Sequence, residues 1–327
     1  MGSFHKNYAR IILTPLICGI ILVAVNYLAP YKGFYSAPEK TFYIPLLTAV
    51  FAVLFYGIFL MSLVTPKTIS RDKLMYYSDV ISVAILVFLF YELFTNRIPF
   101  LPQLKSPIFP SLNHVMDTYV EDAELLLYDC TKATLGIVFM GWLTGIVIAV
   151  PLGIYVGWSK YLLRIVNPFL RVLNAIPLPT WIPILIVAMP TLWWSMSMLL
   201  FIGTFFAVLN NTILGIRGVD RRYAEAGEML GSTDKQILWR IAVPFAMPNI
   251  FAGILTAWIL CIMIVIIAEM IGASTGIGWY LMYTRGWGEY RKVIAGMLWS
   301  GLIGLAGYEA VKLLENHMLR WRTGILR

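Results

Sequence analysis

Apolar runs long enough to cross a bilayer recur along this chain near residues 11–28, 42–64, 79–96, 133–157, 176–190, 192–216, 246–271 and 293–314, separated by charged or turn-forming stretches. A helix needs about 17–25 predominantly apolar residues to span the hydrocarbon core, and an α-helix satisfies its backbone polar groups within itself, as that environment demands. The pattern predicts an all-α polytopic membrane protein with about eight transmembrane helices. Hydrophobic residues make up 60% of the chain and charged residues only 13%, against about 45–50% apolar in soluble domains. The run at 176–190 is the poorest, because Pro168, Pro177, Pro179 and Pro183 break up the region from Tyr161 to Met189. A bent or unwound segment is expected there.

Lysine and arginine orient the spans, since they accumulate in cytoplasmic loops close to the membrane. With the amino terminus inside, the inner set includes Lys6, Arg10, Lys67, Arg71, Lys73, Lys160, Arg164, Arg171, Arg217, Arg221, Arg222, Lys235, Arg240, Lys312, Arg320, Arg322 and Arg327. The exceptions are Lys32, Lys40, Arg97, Lys105, Lys132, Arg285, Arg291 and Lys292. Both termini are therefore expected to be cytoplasmic. The net charge of +8 is a topology signal, and no nucleic-acid partner is expected, because no basic cluster interleaved with aromatics lies beyond the membrane edges. Residues 11–28 follow Lys6 and Arg10 much as a signal-peptide core would, but the run is longer than such a core and no clear A-x-A site follows. A retained anchor is expected. Cys18, Cys130 and Cys261 show no metal-ligand spacing, so no metal site is expected.

The polar stretch YAEAGEMLGSTDKQILWRIAVPFAMPNI at 223–250 interrupts this membrane-like sequence. Asp220 can cap a short helix, Gly231 can supply the left-handed residue that ends it, and Thr233 with Gln236 has the spacing of a capping box opening a second helix. Pro244 and Pro248 are expected to interrupt that second helix. The result is a rigid, protruding hairpin over about residues 217–245. It resembles the coupling loop of permease subunits of ABC-type importers: Glu225, Ala226, Gly231, Ile241 and Pro244 fall on that pattern without a gap, while Gly227 and Val243 replace Ala and Leu. Further passages narrow the resemblance to the permeases of nitrate, bicarbonate, taurine and other sulfonates: SPIFPSLNHVMD at 106–117, GIVIAVPLGIYVGWS at 145–159, NPFLRVLNAIPLPTWIPILI at 167–186 and IAEMIGASTGIGWYL at 267–281. Met189-Pro190, followed by Trp193-Trp194, stands where the family usually has Phe-Gly, a difference at the outer gate.

The resemblance implies a six-helix type I importer core in the plasma (inner) membrane. Residues 1–75 would be an accessory two-helix segment and 76–327 the permease domain. It also implies cytoplasmic ABC ATPase subunits gripping the Glu225 loop, a second permease copy as a homodimer, and an extracytoplasmic solute-binding protein. ATP and Mg would sit on the ATPases. This chain has no G-x-x-x-x-G-K-[ST] run of its own, and neither a catalytic residue nor a bound cofactor is expected in it.

Within the core, Gly141, Gly145, Ala149, Gly153 and Gly157 recur every four residues, a ladder that lets two helix backbones approach closely. It fits packing inside one subunit or a moving dimer seam. Asn174, Pro177, Pro179 and Trp181 mark a pathway candidate, because irregular backbone persists at membrane depth only where it is buried in protein or lines a wet cavity. A broken helix there would aim partial positive charge at an anion, while the alternative is a kink used only for packing. Glu269 is a functional candidate by depth or a structural group bonded to the Gly272–Gly278 turn. An ATPase-independent transporter or channel, or a permease-like subunit reused in another complex, is the competing class. A haem enzyme is disfavoured, since His5, His114 and His317 lie outside the span interiors.

Overall fold

The structure, a computed structural model, describes residues 110–320 and isolated helical positions within 17–21 and 83–91. Apart from those isolated positions, the first three apolar runs, both termini and the boundary expected near residue 75 lie outside these residues. The chain divides into two units, 1–123 with 284–295 and 124–283 with 296–327. The described part is helical: α1 (Leu112–Glu121), a π-helical segment (Ala123–Cys130), α2 (Thr131–Trp158), α3 (Lys160–Ala175), a 3-10 turn (Leu178–Trp181), α4 (Ile182–Ala188), α5 (Leu192–Arg217), α6 (Arg221–Met229), α7 (Asp234–Ile237), a π-helical turn (Leu238–Ala242), α8 (Val243–Gly272), α9 (Ile277–Gly286) and α10 (Tyr290–Met318). Among the described residues, four unbroken helical stretches, Ala123–Trp158, Leu192–Arg217, Asp234–Gly272 and Tyr290–Met318, are long and apolar enough to cross a membrane. A fifth, α3 with Leu178–Ala188, is bent by 88°.

The small-residue ladder settles how the larger unit packs. A Cβ on Gly141 would lie 2.6 Å from the Cβ of Leu200, on Gly145 and Gly153 2.6 Å from those of Thr204 and Thr212, and on Gly157 3.0 Å from that of Ile216. The pairing keeps one offset along both helices, so α2 and α5 run parallel with α5 seated in the groove the glycines leave. The ladder is thus occupied within one chain, and its reading as a dimer seam is set aside. Parallel α2 and α5 also require the chain between them to travel back across their length, so the bent α3–α4 pair makes one crossing.

Helix α8 packs on both α5 and α2. A Cβ on Gly215 would meet Ala246 and Asn249, while one on Gly253 would meet Val208 and Asn211, which makes α8 antiparallel to α5. Val138, Ala149, Leu200, Val208, Ala257 and Val265 form the core between the three helices. Trp142 and Trp258 meet edge to face at 5.3 Å, and their indole N–H groups donate to the carbonyls of Ile254 and Gly304.

Two expectations about proline are corrected. The helix that opens at Asp234 does not break at Pro244 or Pro248 but runs on to Gly272. A π-helical turn precedes Pro244, with the Val243 N–H donating to the Leu238 carbonyl, and Pro244 falls in the first turn of α8, where a missing N–H is least costly. Similarly, 160–175 is regular helix despite Pro168, capped by Ser159, whose hydroxyl accepts from the Leu162 N–H. The break is confined to Ile176–Pro177, where the pre-proline residue is extended.

In the smaller unit α1 is tied to the start of α10 by ion pairs Glu121–Arg291 at 3.0 Å and Asp122–Lys292 at 3.1 Å. The Tyr119 hydroxyl donates to the Ala295 carbonyl at 2.8 Å, and burial pushes that phenol up to about 12, so it stays a donor through the neutral range. Arg291 and Lys292, two exceptions to the basic-residue pattern, are therefore neutralised by carboxylates.

Candidate functional site

Helices α6 and α7 form the hairpin expected from sequence. The Asp220 carboxylate accepts from the Arg222 N–H at 3.0 Å. At the other end of α6, the Gly231 N–H donates to the Glu228 carbonyl and the Ser232 N–H to that of Gly227, the two bonds of a Schellman cap. Gly231 has φ +75°. Thr233 and Gln236 bond reciprocally as a capping box. The path from the Glu225-Ala226-Gly227 corner to the second helix is thus fixed by caps at every joint.

Gly227 is buried, and a Cβ there would lie 3.2 Å from Ile241 Cδ1 and 3.3 Å from Ile237 Cγ1. The absence of a side chain at Gly227 lets α6 sit directly on the helix that becomes α8. Gly227 and Ile241 are therefore brought together. Glu225 and Ala226 are on the more open side, and the tip presents Met229 and Leu230, 90% and 86% exposed. Pro244 lies in the helix that follows, beyond the π-turn.

The pathway candidates sit at the break between α3 and α4. Leu178 packs over Gly203, where a Cβ would lie 3.0 Å from its Cδ1. Gly203 is near the middle of α5, so the irregular backbone is at mid-depth. Asn174, Pro177 and Pro179 are exposed on this chain and Trp181 is half-buried against the core. The amino end of the second segment offers fewer donors than expected. Pro179 and Pro183 carry no N–H, and those of Thr180 and Ile182 already donate to the Pro177 and Pro179 carbonyls. The polar side chains the break does present are those of Asn174 and Thr180, both exposed.

Glu269 does not join that segment. Its carboxylate accepts from the Thr134 hydroxyl at 2.7 Å and from the Gly278 N–H at 2.7 Å, while the Thr134 oxygen accepts from the Ile277 N–H at 2.9 Å. It is 1% exposed. Gly276, at φ +117°, and Gly278 pass so close that a Cβ on either would run into Glu269 or the Ile266 carbonyl. The geometry is a clamp joining α2, α8 and the turn after α8. Thr134 was not singled out from sequence, since a lone threonine at the start of an apolar span carries no distinguishing spacing.

Comparison with known proteins supplies the context for this geometry. The family described as binding-protein-dependent transport system inner membrane component matches residues 149–320. A putative ABC transporter permease protein of Methanocaldococcus jannaschii is 29% identical over 74% of this chain and 90% of its own length. A putative aliphatic sulfonates transport permease protein of Bacillus subtilis is 32% identical, and a nitrate import permease protein of Synechocystis 27%, each over 56% of this chain and 67% of the relative. Among solved structures, the inward-facing MetNI methionine ABC transporter matches with a TM-score of 0.49 and 18% identity, covering 61% of this chain and 97% of that one.

Proposed function

We propose, on the premise that this chain belongs to the binding-protein-dependent transport system inner membrane component family, that it is the permease subunit of an ATP-driven importer for a small anion such as nitrate, bicarbonate or a sulfonate. Its relatives include permeases named for nitrate and for aliphatic sulfonates. Cytoplasmic ABC ATPase subunits dock on the α6–α7 hairpin, a second copy of the chain completes the pathway, and a solute-binding protein delivers cargo from outside. ATP and Mg belong to the ATPases, and the permease itself carries no catalytic residue. The complex resides in the plasma membrane with both termini and the hairpin inside. About eight spans, two of them in an accessory segment before residue 75, complete the chain.

The observation that carries this reading is the mechanical continuity of the hairpin with the core. Helix α7, the π-turn and α8 form one helical stretch from Asp234 to Gly272, about 58 Å long at 1.5 Å per residue. A displacement of the hairpin is delivered along that rod to the Glu269 clamp at its far end. The exposed Met229 and Leu230 offer an apolar contact at the tip, methionine being a residue type enriched in interfaces. To test the reading, the tagged chain is extracted from its native membrane in mild detergent and everything bound is identified by mass spectrometry. An ABC ATPase is expected to co-purify and to be lost on Glu225→Lys; a chain emerging without one would overturn the proposal.

A further inference from the structure

Helix α3 carries a polar stripe that its role in topology does not explain. Lys160, Arg164, Asn167, Arg171 and Asn174 follow one another at spacings of four, three, four and three, which puts all five on one face of a helix. The flank beside it, Leu163, Val166 and Leu170, packs on the core, while the face opposite the stripe, with Leu162, Ile165, Phe169 and Val172, is apolar and exposed. A groove of about 580 Å³ is lined by the first four of these polar residues, by Leu163, Pro168 and Val172 between them, and by Arg217 at the end of α5. Among the described residues, none of Lys160, Arg164, Arg171 and Arg217 is in an ion pair.

Depth is what separates this stripe from an ordinary basic membrane edge. From Lys160 to Arg171 the helix rises about 16 Å, and Asn174 follows just before the break at Ile176–Pro177, which lies at mid-depth beside Gly203. Cations that far into a span are retained where they face water or a charged partner, and no carboxylate lines the groove. Guanidinium groups pair with planar and tetrahedral oxyanions through paired N–H donors.

We propose that Lys160, Arg164, Asn167, Arg171 and Asn174 form a water-filled cationic track that holds a small oxyanion between the mid-depth break and the end of α5. This rests on the importer reading and assigns its anion-handling residues to α3, in place of helix-end dipoles at the break. Lys160 and Arg217 stand at the mouth, and Arg164 and Arg171 supply successive sites along the wall. Asn167 separates Arg164 from Arg171 and Asn174 closes the row at the break, so that an anion is passed on and never held by all the cations at once.

The test reads the track without relying on transport. Asn167→Cys and Asn174→Cys are placed separately in the full-length chain in phosphatidylcholine nanodiscs. Each is labelled with small anionic and cationic thiol reagents, above the background of the three native cysteines. A charge-lined wet cleft raises the local concentration of its counter-ion about tenfold or more, so the anionic reagent should react faster by that factor. Arg164→Gln with Arg171→Gln should bring the two rates together, and Arg164→Lys with Arg171→Lys should keep them apart. No labelling at either position, or equal rates on the unaltered helix, overturns the track. Protection of Asn167→Cys by added phosphatidylglycerol, without protection by inorganic phosphate, makes the groove a lipid-headgroup site and also overturns it. If the track fails while the ATPase still co-purifies, the importer reading survives; loss of the ATPase strikes that reading alone.

Discussion

Glu269 illustrates how one buried carboxylate can be explained by its donors. The Gly278 N–H must donate, and the Thr134 hydroxyl, already accepting from Ile277, is aimed to donate as well. An amide in place of the carboxylate has only one oxygen for these two donors. We expect Glu269→Gln to lower the stability of the detergent-solubilised chain by about 1–3 kcal/mol, and Thr134→Val to do the same by stripping the Ile277 N–H of its acceptor. Equal melting of wild type and both variants would contradict the clamp. Gly231 gives a complementary case, because nothing lies within 4 Å of a Cβ built there. Any penalty comes from the left-handed backbone alone, about 1–2 kcal/mol. Protease sensitivity of the hairpin should therefore rise for Gly231→Val and less for Gly231→Asn, a residue that tolerates that region; equal sensitivity would contradict the cap.

At the level of elements, the glycine ladder makes the sharpest prediction. Gly145→Ala forces a methyl group against Thr204 Cβ in a close-packed seam, and overpacking of this kind costs about 1–3 kcal/mol. Adding Thr204→Gly should recover part of the loss, and no coupling between the two in a double-mutant cycle would show that the seam is elsewhere. Much of this architecture was legible in sequence. The runs at 133–157 and 192–216 reappear as α2 and α5 within a few residues, because apolar length and flanking charge determine them. The caps of the hairpin were legible too, since each depends on residues a few positions apart. Other features were not. The ladder's partner depends on which helix lies opposite, which one sequence does not record. Continuity through Pro244 depends on the π-turn at Leu238–Ala242, whose bonding has no simple residue signature. The stripe on α3 was not singled out from sequence, where its basic residues count only as inner-side charge, and its depth became readable only with Leu178 placed on Gly203.

For the molecule as a whole, the account makes the hairpin and the core one mechanical body and assigns residues before about 75 to a separate role. Deleting 1–70 is accordingly expected to leave ATPase binding unchanged in the co-purification assay; its loss would show that the division of the chain is wrong. The central claim is that the hairpin couples ATP hydrolysis to passage of a small anion. It is tested most directly by reconstituting the purified complex in vesicles and measuring ATP-dependent uptake of a labelled anion panel, nitrate, bicarbonate and a sulfonate among them, for wild type and Gly231→Val. The account predicts uptake of at least one anion by wild type, and for the variant continued ATP hydrolysis with uptake lost. Undiminished uptake by Gly231→Val, or no ATP-dependent anion uptake by the wild-type complex, would contradict it.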